Sequence, residues 1–300
     1  MQSLRDSGGV LQALIYADVF DYPLTLEELR KFLIGGNEVG IKTTQKALLR
    51  IIADLKQIDT DGEWFFLRGR EKIVELRKKR EKWAREKWVI AQKTAAKLER
   101  IPGIRLIGVT GALAMNNCKR EDDIDLLVIT SAGCLWLVRL LIVMLSPLMK
   151  IARRKPGETK VTNKICFNLF LEENHLEISP HNLFLAHEVC QMKPLLNKDR
   201  VHEKFLWGNQ WVKDYLPNAL NNEAMKQYSN SQPVKAIVSL FDCFIAVLNK
   251  VAFALQHQYM KPKMTSEKVS LHQAFFHPLD LEPKIRRQYE EKLKDLTILQ

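Results

Sequence analysis

The chain is poor in residues that build a site by spacing alone. Its five cysteines, Cys118, Cys134, Cys166, Cys190 and Cys243, form no C-x-x-C pair. That argues against a disulfide framework and a cysteine zinc site, and scattered thiols suit a reducing cytosol. Seven histidines include no H-x-x-x-H ligand pair. The opening residues, MQSLRDSGG, lack an apolar signal core, so a cytoplasmic protein is expected. No internal repeat or low-complexity segment is present. Leu135 to Ala152 approaches the ~20 residues of a membrane span, but Arg139 and Pro147 interrupt it, and Asp242 argues against a span in the apolar run Val234 to Leu255. The basic run Arg153-Arg154-Lys155 follows the first of these segments, as a membrane flank would, but a helix buried against a sheet or facing a partner is the better reading. Membrane association is not expected.

Apolar residues make up 46% and charged residues 27% of the 300 positions, which describes a globular chain long enough for two or three cores. The first 68 residues read as a small domain of their own. A helical pattern, VLQALIYADVF, stops at Tyr22-Pro23. Thr25 with Glu28 makes a capping box for LEELRKFLI, and Gly35-Gly36 ends that helix. Thr43 or Thr44 caps a third helix, Gln45 to Gln57, and Asp61-Gly62 turns a hairpin into WFFLRG. Three helices and a hairpin in this order resemble a winged helix-turn-helix, with the third helix as recognition element and the hairpin as wing. The third helix carries only Lys46, Arg50 and Lys56 against Asp54, so protein docking or packing suits it better than DNA reading.

Residues 69–101 read as a long helix with an apolar stripe through Ile73, Leu76, Ala84, Trp88, Ala91, Ala95 and Leu98. Between Arg68 and Arg100 fall thirteen Lys/Arg and five Glu, a net of +8 in a chain of +11. Such a run is most simply a solvated face. The sharper reading makes helix 69–100 an electrostatic guide for a nucleic acid.

The chemistry concentrates in Ile104 to Thr130, IRLIGVTGALAMNNCKREDDIDLLVIT. One apolar strand runs into Thr110-Gly111-Ala112, and Asp123-Ile124-Asp125 opens a second. Residues two apart in a strand share a face, so Asp123 and Asp125 set two carboxylates side by side. At ~5–6 Å they repel by about 3 kcal/mol at an effective dielectric of 20. A hard cation such as magnesium removes that cost. Gly111 lets backbone amides approach an anion.

This pattern resembles the nucleotidyltransferase superfamily typified by DNA polymerase beta. The resemblance covers about 27 residues and implies a small mixed β-sheet flanked by helices, hence an α+β fold class. It also implies Mg2+ held by Asp123 and Asp125, and an NTP co-substrate whose triphosphate meets Thr110, Gly111 and Ala112. An acceptor hydroxyl would attack the α-phosphorus and pyrophosphate would leave. The family carries Ser after the glycine and a third acid on a later strand; this chain has Ala112 and, in KICFNLFL, Asn168. Asn168 can orient a metal-bound water or the acceptor but accepts no proton. Glu172 and Glu173 read as a turn, EENH. Two readings follow: an active transferase with Asp123, Asp125 and Asn168 as catalytic residues, or a degenerate site that senses nucleotide while the chain binds nucleic acid or protein. The transferase-like domain spans 102–180. From 181 to 300 the pattern is helical, where family members hold the acceptor, and a buried structural His187 is expected beside Glu188.

Overall fold

The computed structural model describes residues 2–35, 45–220, 240–264, 267–276 and 281–298. It is an α+β protein with two sheets.

The N-terminal elements are α1 (Gln2–Asp18), β1 (Leu24–Thr25), α2 (Leu26–Lys31), α3 (Gln45–Asp54), β2 (Ile58–Thr60) and β3 (Trp64–Leu67). Their sheet is antiparallel in the order β1-β3-β2. The Thr25 capping box forms as its sequence predicts: Thr25 Oγ1 accepts from Glu28 N at 3.2 Å, and Glu28 Oε2 accepts from Thr25 N at 2.9 Å. Helix α2 stops at Lys31, earlier than its apolar pattern suggests. Asp61 Oδ1 accepts from the amides of Glu63 and Trp64 and so shapes the hairpin tip, where Gly62 takes φ +98°. The caps expected at Thr43 or Thr44, and Gly36, lie outside the described residues.

Helix α4 (Lys72–Leu98) fulfils the long basic element, but three of its cations point inward. Arg77, Arg80 and Lys87 share the buried stripe with Ile73, Ala84, Ala91 and Leu98. Arg77 pairs with Glu28 at 2.8 Å, and Arg80 donates to Phe20 O and Asn117 Oδ1. Lys87, 1% exposed, donates to the carbonyls of Arg120 and Asp122 and to Asn163 Oδ1. A buried ammonium is tolerable only with such partners. The helix therefore clamps its neighbours as well as carrying a charged outer face.

The larger sheet comprises β4 (Ile104–Val109), β5 (Ile124–Thr130), β6 (Ile165–Glu172), β7 (Lys193–Asn197), β8 (Lys268–Val269) and β9 (Gln273–Phe275), in the order β7-β4-β5-β6-β9-β8. It is mixed: β5 and β6 run parallel and every other pair antiparallel. Three of its strands come from residues 181–300, so the helical expectation for that region is corrected. Helix α7 (Leu183–Gln191) ends where KPLLN turns into β7, and Pro194 is accommodated because β7 is an edge strand.

One sheet face, with Leu106, Leu127, Ile129 and Leu171, packs against α7, α8 (Val201–Gly208) and α1. The other, with Ile107, Val109, Leu126, Val128 and Phe170, packs against α4 and α6 (Leu135–Leu145). The apolar segment at 135–152 thus holds an eleven-residue helix that buries Leu135, Trp136, Val138 and Ile142 against the sheet and leaves Leu141, Met144 and, beyond its end, Leu148 exposed. Helix α9 (Leu240–Met260) lies over it; Asn249 Oδ1 accepts from Trp136 N, and Arg139 donates to Gln256. Among the described residues no helix is long and apolar enough to cross a membrane. Helix α10 (Leu281–Ile298) packs on α1, where Tyr289 meets Tyr16 edge to face.

Candidate active site

Strand β4 delivers Thr110 and Gly111 to the mouth of the sheet beside the start of β5. Thr110 N donates to Asp125 O at 3.1 Å, which fixes the turn against the second strand. Gly111 takes φ +61°, and a Cβ there would stand 2.9 Å from Asp125 Oδ2. Both its conformation and the approach of the carboxylate require glycine. Ala112 follows, exposed, in the short helix α5 (Gly111–Ala114).

Asp123 and Asp125 are brought together, with Ile124 fully buried behind them. Their ligating oxygens and the Cys166 sulfur all lie within 4.8 Å of one another. Burial and the two aspartates push the Cys166 thiol well up, so it stays protonated and offers no hard ligand. Two carboxylate oxygens remain that fit a magnesium ion. Arg154 already donates to Asp123 Oδ2 at 2.8 Å, neutralising part of the pair. In the loop after α6, Lys164 is likewise engaged, with Glu158, while Lys155 and Lys160 are exposed.

Strict alternation would put Ile165, Phe167, Leu169 and Leu171 on one face of β6 and Asn168 on the other, and it does not hold. Leu126 pairs with Phe167, but Leu127 pairs with Leu169, so Asn168 is the extra residue of a bulge. Ile165 and Phe167 pack on the α4 side, Leu169 and Leu171 on the α7 side. Asn168 does reach the site. Its Nδ2 donates to Thr110 Oγ1 at 3.2 Å, while Oδ1 is buried with no partner among the described residues.

Sequence reasoning missed Glu188. On α7 its carboxylate lies near the Gly111 backbone and near Asp125. Burial first, then the Asp125 charge, raise its pKa to about 7. A carboxylate from a helix that roofs the sheet thus stands near Asp125, while β6 presents Asn168. Its neighbour His187 is the buried structural residue expected: it stacks on Tyr16 with centroids 4.3 Å apart, and burial lowers its pKa to about 3. No sequence signal beyond Glu188's place on an otherwise apolar helix face marks it. Lys87 was also missed; by holding the Arg120 and Asp122 carbonyls it sets the chain leading into Asp123.

Thr110, Gly111, Asp125, Asn168 and Glu188 form the polar end of a cavity of about 460 Å³. The rest of its wall is mostly apolar and aromatic, including Tyr16, Phe20, Phe184, Phe205 and Phe275, with Asn117, Asp122, His187 and Gln191 among its polar members. Asp123 is not part of that wall. The two aspartates thus sit between a largely apolar, open-mouthed chamber and the basic loop carrying Arg154.

No protein-family model, no curated protein and no solved structure matches the chain.

Proposed function

We propose that this chain is a magnesium-dependent nucleotidyltransferase that moves a nucleoside monophosphate from an NTP to an alcohol with an apolar body. The observation that carries the reading is Asp125 against the Gly111 turn, with Asp123 beside it on one side and Glu188 on the cavity side. Asp123 and Asp125 would hold magnesium, which would neutralise charge developing on the phosphoryl oxygens. Glu188 titrates near neutrality, the range in which a carboxylate can take the proton of an attacking hydroxyl. Asn168 presents its free carbonyl oxygen toward the same space and would orient the acceptor. Arg154 and the neighbouring lysines supply positive charge on the side where a triphosphate would enter.

The cavity supports the acceptor class. Its wall is mostly aromatic and aliphatic, with few polar side chains, which favours an apolar body over a sugar or a nucleic acid backbone. An alkyl or aryl alcohol would bury its body there and place its hydroxyl beside Asn168 and Glu188. The element order of residues 2–67 and the sheet order β1-β3-β2 support a winged-helix reading of the N-terminal part, with α1 forming one wall of the chamber.

One observation favours the second reading, a nucleotide-sensing protein without turnover. The site is partly self-satisfied, with Arg154 on Asp123. Incubation with each α-labelled NTP, magnesium and the solvent-extracted or aqueous fraction of a cell lysate separates the two. Transfer of label into the solvent-extracted fraction supports the proposal. NTP binding without transfer supports the sensor, and label in RNA or protein alone removes the apolar acceptor.

A further inference from the structure

A second group of ligating side chains lies at the opposite end of β6. From Cys166 to Glu172 the strand covers about 20 Å at ~3.3 Å per residue, so this cluster is separate from the aspartates. The EENH stretch is only partly the turn its sequence suggests: Glu172 is the last residue of β6 and is 1% exposed. Its Oε2 meets His272 Nδ1 at 2.8 Å and lies 4.0 Å from His175 Nδ1. Its Oε1 is buried and has no hydrogen-bond partner among the described residues.

The two imidazoles are stacked, with centroids 4.1 Å apart and planes within 9°. One ligand atom from each of the three residues falls within 4.8 Å of the others. The backbone holds this arrangement independently of the side chains. Glu172 N donates to His272 O at 3.0 Å, and His175 N donates to Glu172 O at 2.8 Å. Gln273 Nε2 donates to the carbonyls of His175 and Glu177, tying the turn to the start of β9.

A carboxylate removed from water needs its lone pairs satisfied, and one hydrogen bond from His272 leaves Oε1 bare. Two imidazole nitrogens and one carboxylate oxygen form a donor set that zinc takes with a fourth, solvent-facing position. Bonds of ~2.0–2.1 Å would draw the ligand atoms closer than they stand now. Both imidazoles are more than 40% exposed and have room to rotate inward. We propose that Glu172, His175 and His272 bind a zinc-class transition-metal ion that fastens the β8–β9 hairpin to the end of β6. The absence of an H-x-x-x-H pair hid it, because the fold joins histidines from distant parts of the chain.

The test uses the full chain, stripped with chelator and titrated with Zn2+ by calorimetry and with Co2+ by visible absorption. One equivalent of each metal is expected, with zinc raising the melting temperature. His175→Ala and His272→Ala should each weaken binding at least tenfold, with circular dichroism unchanged. His175 lies in a turn, so its variant remains informative if the His272 variant folds poorly. Asp123→Asn with Asp125→Asn should leave zinc binding intact, which separates this site from the proposed transferase centre. Failure of the stripped chain to bind zinc, or binding that survives both histidine variants, would overturn the proposal.

Discussion

Glu188 on α7 and Asp125 on β5 face one another across the Gly111 turn, and the Asp125 charge adds to burial in holding the Glu188 pKa at about 7. A helix thereby supplies an acid to a sheet whose own third strand carries Asn168.

Glu188 should make stability depend on pH in a defined window. An unfolded glutamate titrates near ~4.3, and the folded one near 7. Below the lower value both states are protonated and the contribution is fully present. As pH rises the unfolded state ionises first, so stability falls until the folded carboxyl also ionises, and levels off above about 7. Between pH 5 and pH 8 the wild type should lose on the order of 2 kcal/mol more than Glu188→Gln. Urea denaturation at both pH values measures it, and parallel pH profiles would remove Glu188 from its buried position.

Gly111→Ala should destabilise by about 1–2 kcal/mol from the left-handed conformation alone. It should also displace the Asp125 carboxylate, which stands 2.9 Å from the new methyl position. Denaturation reads the first effect and magnesium-dependent NTP binding the second. A variant as stable as wild type would mean that the turn is not held as described.

Lys87→Met should cost about 2–3 kcal/mol, because the Arg120 and Asp122 carbonyls and Asn163 lose a buried donor. Lys79→Glu and Lys82→Glu, at exposed positions of the same helix, should each change stability by less than about 0.5 kcal/mol. Equal effects at all three positions would deny Lys87 its clamping role.

Much of the fold could be read because its signals are local. The Thr25–Glu28 capping box, the apolar strands on either side of Gly111 and the paired aspartates each lie within a few residues. Asn168 reaches the site, but not by simple alternation along its strand, which ignores the bulge opposite Leu126 and Leu127, a property of the strand pair. The stripe of α4 was legible only in its apolar members. Arg77, Arg80 and Lys87 occupy the same stripe because carbonyls and acids elsewhere in the chain receive them, which composition does not reveal. Glu188, and the meeting of Glu172 with His175 and His272, depend on how α7 and the β8–β9 hairpin return to the sheet. Strand β7 was hidden by Pro194, which disfavours a central strand but not an edge.

Asn168→Asp would add a carboxylate where the resemblance expects one. With Asp125 and Glu188 already facing the cavity, the new acid should raise the pH at which Glu188 ionises. The acid limb of any transferase pH profile should therefore move upward. Thr110 would also lose the amide donor it accepts from. A pH–rate profile identical to wild type would show that residue 168 does not share the field of these acids.

The most direct measurement is pyrophosphate release from NTP and magnesium in the presence of a solvent-extracted alcohol fraction, comparing wild type with Asp125→Asn and Glu188→Gln. The expected result is acceptor-dependent release by wild type, abolished by Asp125→Asn and reduced about 10²–10⁴-fold by Glu188→Gln, as loss of general-base assistance implies. Release that persists undiminished in both variants, or no release with any NTP and fraction, would contradict a transferase centre at Asp123, Asp125 and Glu188.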